Sequence, residues 1–145
     1  MADLTPKMLV AVELLDRSVQ MYNDKAYFAA IHLAGAAEEL FGRYLELSKE
    51  AKPAADTICD DVVVALGYSL CVVPPKVKKA IYDTIYRPRN RTKHLNEEGD
   101  HDISFDPKQE AETSLHRAIN NCLEMAIRSR VEVPLRVHQF CDDDG

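Results

Sequence analysis

Apolar side chains recur every three or four residues along most of the chain, and that spacing predicts helices. Thr5-Pro6 reads as a cap followed by a first-turn proline. Met8, Val12, Leu15, Val19 and Tyr22 then form one stripe, broken at Asn23-Asp24-Lys25. A second helix is expected from about Ala26 to Ser48 with two adjacent stripes. One is Ala30, Leu33, Ala37, Leu40, Tyr44 and Leu47; the other is Tyr27, Ile31, Ala34, Glu38, Phe41 and Leu45. Two stripes mean burial over much of the circumference, so this helix is expected at the centre of the fold. Gly35, Ala36 and Gly42 mark a third face that another segment could approach closely.

Lys49–Ala55, with Pro53, is expected to be a loop. Asp56 is a candidate cap for a third helix, with Asp60 and Asp61 in its early turns, although Val62-Val63-Val64 would also suit a strand. Cys71-Val72-Val73-Pro74-Pro75 ends that element. A fourth helix starts near Pro75 with Val77, Ile81 and Ile85 inward. Pro88 forces a break, because it lacks an N–H and pushes Arg87 away from helical angles. A short helix from Pro88 to about Asn96 follows, then a polar loop over Glu97–Phe105. Asp106-Pro107 opens a last long helix to about Arg130, with Ala111, Leu115, Ala118, Cys122, Met125 and Ala126 inward. Val131, Val133, Leu135 and Val137 alternate weakly before an acidic end at Asp142-Asp143-Asp144. The expected architecture is all-α, an antiparallel bundle of four main helices plus a short one. It occupies residues 1–130, with 131–145 as a partly disordered extension.

Composition fits one domain. The 145 residues are 46% hydrophobic and 29% charged, with five glycines and no tryptophan. No apolar run approaches membrane-spanning length and no signal-peptide pattern opens the chain, so a cytoplasmic protein is expected. Cys59, Cys71, Cys122 and Cys141 are widely spread, without the paired spacing of a zinc or redox motif.

Charge changes the picture. The chain carries −6, yet Pro74–His94 holds seven Lys or Arg against one acid, Asp83, a local charge of +6. The densest part is Arg87-Pro88-Arg89-Asn90-Arg91-Thr92-Lys93-His94. A cationic island in an acidic chain has two readings: on charge alone a solvated helix face that happens to be basic is the first, and the histidine and its spacing shift the balance toward an anionic ligand. Arginine's planar fork fits phosphate oxygens, and histidine titrates near neutrality. On a helix, Asn90 and His94 would share a face, so that Asn90 could fix the imidazole tautomer. Arg89 would lie about 140° round the axis from His94, leaving the two to flank one phosphate. Glu38 interrupts an apolar stripe and must find a partner, most simply within Arg87–His94, while Glu39 is expected to pair with Arg43 on the surface.

The run Arg89-Asn90-Arg91-Thr92-Lys93-His94 resembles the hallmark of the HEPN family, which is Arg, a polar residue, a spacer, then His. The order of parts over Met8–Arg130 is also similar: a long alanine-rich helix with acids, the motif late in the chain, then a final amphipathic helix. The resemblance implies a metal-independent endoribonuclease, often a homodimer and often the toxin of a toxin–antitoxin or defence module. Other members bind a nucleotide or a partner protein without catalysis. Carried over, Arg89, His94 and Asn90 would be catalytic. Arg87, Arg91, Lys93 and, loosely, Glu38 would hold substrate. No cofactor is implied. The implied partners are a second copy, RNA or a nucleotide, and an antitoxin protein, with no membrane.

Rival constellations are weaker. His94, Glu97, Glu98, Asp100, His101 and Asp102 are metal-capable types without a ligand spacing, and no metal is expected there. His32 and His116 read as rim residues of helices and His138 as an inert tail residue.

Overall fold

A computed structural model describes residues 6–94, 101–128 and 131–143. Its regular elements are all helices: α1 (Lys7–Asn23), α2 (Tyr27–Ser48), α3 (Ala54–Ala65), α4 (Pro75–Ile85), α5 (Arg87–Lys93), α6 (Pro107–Ile127) and α7 (Leu135–Asp143). Among the described residues there is no strand. None of these helices is long and apolar enough to cross a membrane. The expected end of the short helix at Asn96, the loop from Glu97 to Asp100, Arg130 and the last two residues lie outside the described part.

The predicted stripes become the core. Ala11, Leu15 and Val19 of α1 meet Ala34, Ala37, Phe41 and Leu45 of α2, and Leu115, Ala118, Cys122 and Met125 of α6 close over them. The second stripe of α2 is buried from Ile31 to Leu45, whereas the first, buried at Ala30 and Ala37, emerges into solvent at Tyr44 and Leu47. α1 and α2 form a hairpin. Lys25 takes a left-handed φ of 62° at the turn, and the Ser18 hydroxyl donates to Ala30 O at 2.8 Å across it.

The expected antiparallel arrangement does not extend to α2 and α6. Ala111 packs with Ala30 and Ile31, the Arg117 side chain reaches Glu38, and Met125 shares the core with Leu45. Partner numbers rise together, so the two helices run in the same direction. The long connection through α3, α4 and α5 makes this feasible by carrying the chain back to its starting end.

Four local expectations are corrected. The third helix begins three residues early at Ala54, with Pro53 at its N-cap, and Asp56 sits in the first turn rather than capping. It stops at Ala65, well before Cys71. Its valines are helical, and Val63 is fully buried against Cys59 and Ile81. Residues 135–143 form α7, whose Val137 and Phe140 enter the main core, so apolar burial orders a stretch whose alternation looked weak. By contrast, Asp106 caps α6 as its sequence predicts, accepting from Lys108 N at 3.0 Å.

Candidate functional site

The chain breaks between α4 and α5 at Tyr86 (φ −95°, ψ 2°), and Pro88 is buried in the first turn of α5. The seven residues of α5 lie along one face of α2. Thr92 Oγ1 is 2.8 Å from His32 Nε2, and Arg89 donates to Gly35 O at 3.4 Å and reaches the Glu39 carboxylate at 3.8 Å. The pairings run in opposite senses, so α5 is antiparallel to α2. Close approach depends on Gly35: a Cβ there would come within 2.7 Å of Arg89 Cδ. The small-residue face of the sequence is therefore the bed of the arginine. At Gly42 a Cβ would meet Asn121 and Pro53 at 3.4 Å or more, an ordinary contact.

Arg89 also rests on an aromatic platform. Its guanidinium carbon lies 5.1 Å from the Tyr86 ring centroid, while Arg117 of α6 lies 5.6 Å from the same ring. Both separations are within cation–π range. Beneath this platform Arg117 Nε donates to both oxygens of Glu38 at 3.1 Å, and the Tyr86 hydroxyl stands 3.5 Å from the same carboxylate. Asn121 donates to Glu38 O at 3.2 Å and accepts from Ala54 N at 2.7 Å, tying α3 to the same support.

Burial pushes the Glu38 carboxyl above the ordinary carboxylate range despite the opposing pull of Arg117. The Tyr86 phenol is pushed up to about 12, by burial first and then by Glu38. Glu38 is thus buried and paired as its place in an apolar stripe demands, but its main partner is Arg117, not the basic segment. Only 3% exposed and engaged by Arg117, it stands as a support beneath the site. The expected Glu39–Arg43 pair is also replaced: Arg43 bonds Glu46 at 2.9 Å, and Glu39 turns to Arg89.

The rest of the motif faces outward. Arg87, Asn90, Arg91, Lys93 and His94 are all exposed. His94 is not inside the helix: its backbone is extended (φ −125°, ψ 139°), with its N–H donating to Asn90 O at 3.1 Å. Helical spacing therefore ends before His94, and the described contacts include no Asn90 side-chain bond to its imidazole. The structure thus splits the predicted site. Arg89 is held against α2 and Tyr86, while His94 ends a separate, solvent-facing cationic ridge. A cleft of about 340 Å³ opens beside Arg89, lined also by Glu38, Glu39, Arg43, Glu46, Asp56 and Tyr86. Its acids outnumber its bases, so it does not extend the cationic surface. The Arg89 Nε atom is buried there without a hydrogen-bond partner.

Sequence reasoning passed over Tyr86, Arg117 and Asn121, and read His32 only as a rim residue. The first three had a signal, because Glu38 required a partner and Arg117 and Asn121 are four apart on α6. His32 had none, since its neighbour Thr92 is remote in the chain. Burial, then Lys93 and Arg89, hold the His32 imidazole below its ordinary value. Searches against protein-family models, curated proteins and solved structures found no match to this chain.

Proposed function

We propose that the chain is an HEPN-like endoribonuclease of the metal-independent kind, acting at α5 with Arg89 and His94 as its reacting pair. One observation supports this above the rest. In a chain of net charge −6, the segment Arg87–His94 presents a solvent-facing row of cations ending in an imidazole, beside an arginine fixed by Gly35 and Tyr86. Imidazole can transfer protons near neutrality, and a fixed guanidinium stabilises charge that builds on phosphorus. The 2′-hydroxyl of RNA supplies the nucleophile. On this reading the active form is a homodimer that brings two α5 segments together, as the resemblance implies, and light scattering at micromolar concentration should return the dimer mass. An antitoxin protein would then be the natural inhibitor.

A second reading is a non-catalytic module that binds a nucleotide or a protein. It is favoured by the engagement of Arg89 with Glu39, which a substrate phosphate must displace. The two readings separate when purified protein is incubated with mixed RNA in EDTA beside His94→Ala and Arg89→Ala. Cleavage by the wild type alone supports the enzyme. Equal, slow degradation by all three supports the binding module.

A further inference from the structure

We propose that His32 of α2 is a second imidazole of the α5 site and contacts the same phosphate-bearing ligand as His94. The inference rests on the proposed reading of α5 as a phosphate site and adds a residue from outside the motif.

The geometry carries it. His32 Nε2 lies 2.8 Å from Thr92 Oγ1, and Thr92 is two residues from His94. Two residues of chain span at most about 7 Å, so His32 touches the turn that ends in His94. The same hydroxyl lies 3.0 Å from Pro88 O and 3.1 Å from Arg89 O, within reach of the backbone carbonyls that a helical threonine ordinarily serves. A hydroxyl has one proton. With that proton given to a carbonyl, the hydroxyl oxygen accepts from His32 Nε2–H, and the lone pair is left on Nδ1. His32 is only partly buried, and the described contacts give Nδ1 no protein partner. Burial, Lys93 and Arg89 favour the neutral ring, the form able to take a proton.

Chemistry gives the second imidazole a purpose. Cleavage of RNA through its 2′-oxygen needs a base and an acid. His32 Nδ1 takes the proton of the 2′-hydroxyl as the O2′–P bond forms. The P–O5′ bond breaks, and the leaving O5′ takes a proton from the His94 imidazolium. The products are a 2′,3′-cyclic phosphate and a 5′-hydroxyl, and no oxidant, reductant or further reactant is consumed. Each protomer then carries its own acid and base, so a dimer is not needed to supply the second imidazole.

The test is a titration of full-length protein with uridine 3′-monophosphate, followed through the imidazole nitrogens by NMR, with RNA cleavage measured alongside. His32 and His94 should shift together and saturate at one dissociation constant. His32→Gln keeps an amide that can donate to Thr92 but cannot accept a proton. It should leave helical circular dichroism and thermal unfolding unchanged, while RNA cleavage falls about 10²-fold or more. Shifts at both rings without any cleavage uphold the shared ligand and end the endoribonuclease reading. Shifts at His94 alone overturn the proposal while leaving the α5 site standing. Shifts at neither ring overturn both.

Discussion

Glu38 is the residue on which the support of the site turns. It is an acid in an apolar stripe, and the fold answers with Arg117, Tyr86 and Asn121. Removing one member of a buried pair strands the other, so Arg117→Ala should cost about 3–5 kcal/mol in denaturant unfolding. The pH dependence has a definite sign. Burial raises the folded-state value of Glu38 above its unfolded one, so the native state binds the proton more tightly. Its contribution is greatest below the ordinary carboxylate range and declines as pH rises through the raised value. Glu38→Gln, which stays neutral, should therefore lose less stability than wild type as pH rises above the ordinary carboxylate range. The opposite slope would mean that Arg117 outweighs burial. That Glu38 needed a partner was legible from the stripe alone. That the partner would be Arg117 was not, because Arg87–His94 offered nearer and more numerous cations and the sequence does not state which helix lies alongside.

At the scale of elements, the stripe pattern carried α1, α2, α4 and α6 nearly to their ends, and Pro88 marked the α4–α5 break. α7 escaped because only Val137 and Phe140 of its nine residues are buried, too few to outweigh an acidic end. The bed of α5 on α2 was legible only as a face of small residues. Its consequence can be tested with Gly35→Ala. Alanine favours a helix interior over glycine by about 1 kcal/mol, so thermal stability should hold or rise. The new Cβ would press on Arg89 Cδ and turn that side chain off its platform. Activity should then fall toward that of Arg89→Ala. A variant with full activity would show that the platform position of Arg89 is not the working one.

For the whole molecule, the acidic balance limits what the site can grip. Beyond Pro74–His94 the chain carries −12, so long nucleic acid should meet repulsion outside the α5 ridge. Single-stranded RNA binding should depend on salt through a few phosphates only. With Arg87, Arg89, Arg91 and Lys93 engaged, the slope of log K against log salt should be no steeper than about −3. A markedly steeper slope would mean that the exposed Lys76, Lys78 and Lys79 of α4 also engage phosphates. The direction of α6 relative to α2 belongs to this scale, and it was beyond the sequence because periodicity fixes the faces of helices but not their order in space.

The central claim is that His94 and the α5 cations act on an RNA phosphodiester through its own 2′-oxygen. The most direct measurement is mass analysis of the products from a short RNA cut in EDTA, beside the same strand with one 2′-deoxy sugar at the cut position. The account predicts 2′,3′-cyclic phosphate ends from the first, no cut at the deoxy position in the second, and neither product with His94→Ala. Cleavage that continues at the deoxy position, or that survives His94→Ala, would contradict it.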